Sequence, residues 1–338
     1  MATALRPFKL LQAGIETTKG TLVAATRQLP GDHGFTEEQD FYRSPFPAGV
    51  RSNVGGAGVI IRKGYAIDYS SDLTAEDILW MLETGVKGGI SPSTVDINAK
   101  LWTYTPELTT GVPTIKTATF EMIHADGVTN HYAGEVGYGM CESFKIDWAF
   151  NQEAKFSAKF FARARQTTTP TGALTPYASR EPLVSNLVFV YLDTTWAGLG
   201  GTQLQTIIRS GSIEIMTGYA PNYTLDGRSD KDFVNHKVGI ITGKLSLVME
   251  LDATAASRIA NYRANDVVYI RVRNEGSLIG SVSAKKFVQI DGAYRFVSAP
   301  AFSEDGQQIL VSLDLESVYD STGTKTLEFS AQNLLAVI

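Results

Sequence analysis

From Gly64 to Gly85 the chain reads GYAIDYSSDLTAEDILWMLETG and changes its hydrophobic period once. Tyr65, Ile67 and Tyr69 alternate with Ala66, Asp68 and Ser70, which predicts a half-buried strand. Ile78, Leu79, Leu82 and Val86 then recur at helical spacing. Thr74 is placed as N-cap, with Glu76 and Asp77 in the first turn, which predicts a helix over Thr74–Gly85. The same switch returns 180 residues later. Leu245, Leu247 and Met249 repeat the apolar phase of the strand, and Asp252, Thr254, Ala255 and Ile259 fall on Asp72, Thr74, Ala75 and Leu79. A second helix is therefore expected over Thr254–Ala264. Glu16-Thr17-Thr18 and Asp193-Thr194-Thr195 give a second, weaker echo. The pattern reads as two copies of one domain.

Most of the remaining pattern is strand. Phe144, Ile146, Trp148 and Phe150 alternate with Ser143, Lys145 and Asp147, and Phe156, Ala158 and Phe160 continue the theme. Further runs are expected at 95–104, 117–123, 187–192, 207–216, 267–273, 286–290, 294–297, 309–315 and 326–329. The fold class is mainly β, a β-rich α+β chain with sandwich-like sheets and one short flanking helix per half. Residues 1–30 show no strong period. Residues 31–58, rich in Gly, Pro and charge, are expected to form a long irregular arm. Residues 169–176 are read as a Thr/Pro linker between domains spanning 1–168 and 177–338.

Composition narrows the function. The chain has 338 residues, 43% hydrophobic and 19% charged, enough for two globular cores. No run of 18 apolar residues is present, so no membrane-spanning helix is expected. The net charge of −5 argues against a sequence-reading nucleic-acid binder. A single cysteine, Cys141, excludes an internal disulfide and reads as a buried thiol. His124 and His131 lie seven residues apart, and His33 lies near Asp32 and Glu37; neither spacing is that of a zinc site. Gly55-Gly56-Ala57-Gly58 precedes a strand, the wrong order for a dinucleotide site. No nucleophile elbow, phosphate loop or paired-carboxylate motif occurs, so neither an enzyme nor a cofactor is expected. Three aromatic segments, Phe41-Tyr42, Trp102–Tyr104 and Tyr219–Tyr223, read as core or subunit contacts.

Four segments carry a family likeness. GIETTKGTLVAATRQLP at Gly14–Pro30 resembles the N-terminal signature of tail tube proteins of long-tailed, siphovirus-type phages. DLTAEDILWMLETGVKGG at Asp72–Gly89, WTYTPE at Trp102–Glu107 and GYAPNYTLDG at Gly218–Gly227 resemble the same family, in the right order. The resemblance implies a non-catalytic virion protein, assembled in the host cytoplasm. Its rings would stack into a tube that conducts the viral double-stranded DNA without sequence-specific binding. Implied partners are further copies of the chain, a tape-measure protein in the lumen, and terminator and distal tail proteins at the ends. No membrane partner is implied. Six single domains make a ring in the family, so a duplicated chain is expected to form trimeric rings.

A conduit lined by strands needs a polar lumen face and an apolar outer one. Asp68, Asp147, Glu214 and Glu250 occupy polar strand positions and are expected to face the lumen. Leu79 and Leu82 in the first helix, and Ile259 and Tyr262 in the second, are expected to pack onto the back of that sheet. The alternation suits an ordinary solvated sheet face equally well. A two-domain β-sandwich serving as a virion decoration or cell-surface binding protein is the alternative reading, and a hydrolase with dispersed carboxylates a further one.

Overall fold

The computed structural model describes residues 8–42, 58–126, 128–167, 169–172, 174–204, 207–225 and 230–280, and finally 284–338. Nineteen strands and two α-helices form among them. In the first half they are β1 (Lys9–Ile15), β2 (Arg27–Leu29), β3 (Asp32–Tyr42), β4 (Val59–Asp72), α1 (Ile78–Gly85), β5 (Ser93–Thr94), β6 (Lys100–Tyr104), β7 (Ala118–Ala125), β8 (Asn130–Ala149) and β9 (Lys155–Thr167). In the second they are β10 (Val188–Asp193), β11 (Ile208–Met216), β12 (Tyr219–Asn222), β13 (Asn235–Val238), β14 (Thr242–Glu250), α2 (Ala253–Ala264), β15 (Val268–Leu278), β16 (Lys285–Phe296), β17 (Ala301–Asp305), β18 (Gln308–Ser317) and β19 (Leu327–Asn333).

Eight of these strands lie side by side, all antiparallel, in the order β3-β4-β9-β8-β11-β14-β18-β17. The two halves of the chain thus share one sheet, joined where β8 meets β11. Alternation gives this sheet an apolar back: Ile67, Tyr69, Phe156, Phe160, Phe144, Ile146, Ile213, Ile215, Leu245, Leu247, Leu313 and Leu315 are all buried. Two further strand sets cover that back. One runs β2-β1-β7-β8 and the other β10-β15-β16-β19-β6-β5. Strand β8 belongs to two layers because it bends; its register against β9 shifts at three places between Glu135 and Ser143, and Tyr138 takes φ 56°.

The helices differ. All eight residues of α1 are buried, and the helix packs against β8 and β19. Among the described side chains of α2 only Ala255 is fully buried, and Ile259 and Tyr262 are half-buried, with Tyr262 edge-on to Phe296. The expected start of the first helix is corrected. Thr74 Oγ1 does accept from the Asp77 amide (3.0 Å), but residues 75–77 form a tighter turn and the α-helix begins at Ile78. In the second half Asp252 is the cap, accepting from the Ala255 amide at 2.7 Å, and the helix begins at Ala253.

Other expectations are corrected too. Residues 32–42 of the expected irregular arm form β3, an edge strand paired with β4 from end to end; residues 43–57 lie outside the described residues. Its four carboxylates, Asp32, Glu37, Glu38 and Asp40, are all exposed, so no apolar run announces it. The period-free first 30 residues hold β1 and β2. The expected strands 286–290 and 294–297 are one strand, β16. Strand β9 ends at Thr167, ahead of the stretch read as a linker, in which Thr171 donates to the Glu121 carboxylate through its amide (2.9 Å) and its hydroxyl (2.7 Å).

Candidate functional site: a polar sheet face with open edges

The front of the eight-stranded sheet is polar and ordered by register. One row across it reads Asp72, Lys155, Asp147, Ser212, Ser246, Asp314. The next reads Asp32, Ser70, Ser157, Lys145, Glu214, Lys244, Glu316, with Arg295 of β16 beside Glu316. Opposite charges therefore face each other on adjacent strands, the favourable cross-strand arrangement. Lys145 Nζ lies 2.7 Å from Asp147, and Arg209 lies 2.6 Å from Glu250. These pairs are partly exposed, and such pairs contribute about 0–1 kcal/mol each. They set charge pattern rather than stability.

All four predicted carboxylates belong to this face. Asp68 lies between Gly34 on β3 and Lys159 on β9, Asp147 between Lys155 and Ser212, and Glu214 between Lys145 and Lys244. Glu250 shares the parity of Lys244 and Ser246 on β14. Asp68 and Glu214 line one shallow depression of the face, and Asp147 lines the next. Asp68 is exposed and the other three are half-exposed. Leu79 and Leu82 are buried at 0% and 1% exposure.

The sheet ends in open edges. Among the described residues β3 pairs only with β4, and β17 only with β18. Unpaired edges of a long sheet invite another strand.

Charged groups that the sequence motifs carry lie behind the face and hold the two halves together. Glu76 and Asp77 have no exposure. Lys286 of β16 reaches Glu76 (3.3 Å) and Glu181 (3.4 Å) and donates to the Ser179 carbonyl. Arg180 Nε donates to Asp77 at 2.6 Å and its Nη2 to Ser71 Oγ at 2.9 Å. Burial raises the pKa of both carboxyls in spite of these cations. Asn333 of β19 donates to the Ala75 carbonyl (2.7 Å) and accepts from Trp102 Nε1 (3.2 Å).

Glu16 plays the matching part in GIETTKG. It accepts from the Gly20 amide (2.6 Å), the Tyr138 amide (2.8 Å), Thr119 Oγ1 (3.0 Å) and Thr117 Oγ1. Gly20 sits at φ 77°, and a Cβ there would lie 2.4 Å from Arg163. Nothing in the sequence pattern marks these buried carboxylates as scaffold. Trp102, Tyr104 and Tyr219 are buried, whereas Phe41 and Tyr42 are 51% and 56% exposed. Cys141 is buried, which pushes its thiol pKa up.

A family model for phage tail tube proteins matches residues 9–317. The chain belongs to the phage tail tube protein family. No curated protein matches it closely enough to count as a relative. Membership makes it a structural protein of the virion tail. No helix among the described residues is long and apolar enough to cross a membrane.

Proposed function

We propose that this tail tube protein forms trimeric rings in which β17 of one chain pairs with β3 of the next, closing one barrel around a lumen. Supporting this most directly is the β8–β11 seam, where the chain already joins two four-strand sets edge to edge. The order β3-β4-β9-β8 in the first half corresponds to β11-β14-β18-β17 in the second. By that correspondence, β17 meeting a neighbour's β3 repeats β8 meeting β11. A further echo supports duplication. Asp193 at the end of β10 accepts from the Gly200 amide (3.0 Å), as Glu16 at the end of β1 accepts from Gly20. Both glycines have positive φ and lie against an arginine, Arg271 and Arg163.

Three chains would supply roughly twenty-four strands, beyond the porin sizes that already leave an aqueous channel. The polar face then lines the lumen, with Asp68, Asp147, Glu214 and Glu250 in its wall. Double-stranded DNA passes through without sequence-specific contacts, a tape-measure protein fills the lumen beforehand, and terminator and distal tail proteins close the ends. Assembly takes place in the host cytoplasm. The test is a reconstruction of tubes from purified protein. Three chains per ring with pseudo-sixfold symmetry is the expected result; six chains per ring, or β3 and β17 unpaired, would overturn the reading.

A further inference from the structure

Phe150 does not behave like the stripe it belongs to. Phe144, Ile146 and Trp148 are buried, but Phe150 is 60% exposed just past the end of β8. It is held there firmly. Its amide donates to the Arg209 carbonyl (3.0 Å), and the Arg209 guanidinium stands 5.9 Å from its ring. The next residue, Asn151, takes φ 58° and donates its amide to Asn186 Oδ1 at 3.0 Å. Val184, Leu187, Leu251 and Ile309 are exposed beside the same ends of the strands, making an apolar patch around a fixed aromatic knob.

The opposite ends of these strands carry a groove. Strand β8 passes Met216 at its Ser143 end and Ser210 at its Ala149 end, so groove and knob are separated by the height of the sheet. The groove has a volume of about 490 Å³ and is lined by Val86, Pro106, Leu108, Tyr219, Ile240 and Tyr319, among others. Ile240 is 86% exposed at its mouth.

The charges around the two surfaces are opposite in balance. Lys87 and Glu107 pair at the groove (3.1 Å), Lys116 adjoins Gly88 and Gly89, and Lys19 lies near Lys116. Lys237 stands across from Ala220, next to Tyr219. With Glu107, Glu83 and Glu142 all counted, lysines outnumber carboxylates there by four to three. At the knob, Asp72, Glu153, Glu250 and Asp252 outnumber Lys155 and Arg209. Complementary charge favours one orientation of encounter.

We infer that the groove receives the Phe150 patch of a second copy of this chain, stacked end-on, and that this contact joins one ring to the next. The inference rests on the tube reading above. The contact is heterologous: groove and knob lie on different surfaces of one chain, so it leaves a free groove at one end and a free knob at the other and propagates without closing. It runs along the tube axis, whereas the β17–β3 contact runs around it.

The test uses the full chain with Phe150→Cys and Ile240→Cys together, leaving the buried Cys141 in place. Under oxidation the double variant should give a ladder of covalent oligomers extending past the dimer on a non-reducing denaturing gel, and each single variant no more than dimers. No ladder from the double variant would overturn the inference. Phe150→Asp serves as a second readout. It should leave rings visible by negative stain while tubes are lost; tubes as abundant as those of the unaltered chain would also overturn it. Trimeric rings without a ladder sink the stacking contact alone. A ladder without trimeric rings upholds the contact and sinks the ring reading.

Discussion

Glu76 illustrates how a conspicuous motif residue can be structural. Its carboxyl is fully buried against Lys286, and burial outweighs the cation, so its pKa is raised above the ordinary 4.5. The folded state therefore holds this proton more tightly than the unfolded state. That contribution to stability is fully present below about pH 4.5 and is lost as pH rises through the raised folded value. Glu76→Gln removes the titration. The Tm difference between Glu76→Gln and the unaltered chain should shift in the variant's favour as pH is raised from 4.5 to 7 in thermal scans. A flat difference would show that Lys286 compensates the charge in full. Such roles were not legible in the sequence. Glu16 takes hydrogen bonds from groups 4 to 122 residues away, and no local pattern encodes partners at that range. The burial of Leu79 and Leu82 was legible, because helical spacing reports one face of a helix directly.

At the scale of elements, the two helices are unequally enclosed. Helix α1 is enclosed on all sides, while α2 lies against the sheet with only Ala255 fully buried among its described side chains. Leu82→Ala should cost about 2–5 kcal/mol, the usual range for a large buried aliphatic side chain. Ile259→Ala should cost clearly less, about 1 kcal/mol, because its side chain is only partly removed from water. Urea unfolding of both variants at one pH checks the ranking; equal costs would mean that α2 is as enclosed as α1. Strands were readable wherever one face was apolar. Strand β3 was not, because it is an edge whose exposed positions include four carboxylates and whose buried contribution comes mainly from His33 and Phe35. Strand β16 looked interrupted because Asp291 lies mid-strand. That carboxylate is buried in a two-pronged pair with Arg271, both contacts at 2.8 Å, so the strand runs through it.

For the whole molecule, the eight-stranded sheet matters more than either half. Its back is a continuous core that crosses the β8–β11 seam, and at that seam Gly211 leaves room for the Trp148 indole; a Cβ there would lie 2.6 Å from the ring. The front has the opposite design. Carboxylates and cations alternate along its rows, and the row through Asp147 carries Asp72, Asp147 and Asp314 against Lys155 alone. A wall that conducts DNA must not retain it. Retention grows with each Lys or Arg that displaces counterions from the phosphates, and it is recognised by its steep fall with salt. In the proposed tube this interleaved, slightly acidic face would offer no run of cations for the phosphates to follow. Asp68→Arg with Asp147→Arg converts two carboxylates of the face into cations beside Lys159 and Lys155. Tubes of the unaltered chain should bring down no short duplex DNA on sedimentation in low salt. Tubes of the double variant should bring it down, with binding that vanishes as salt is raised. Equal, negligible retention by both would place this face on the outside of the assembly or out of reach of the duplex. Retention by the unaltered tubes would mean that the wall binds what the proposed function requires it to release.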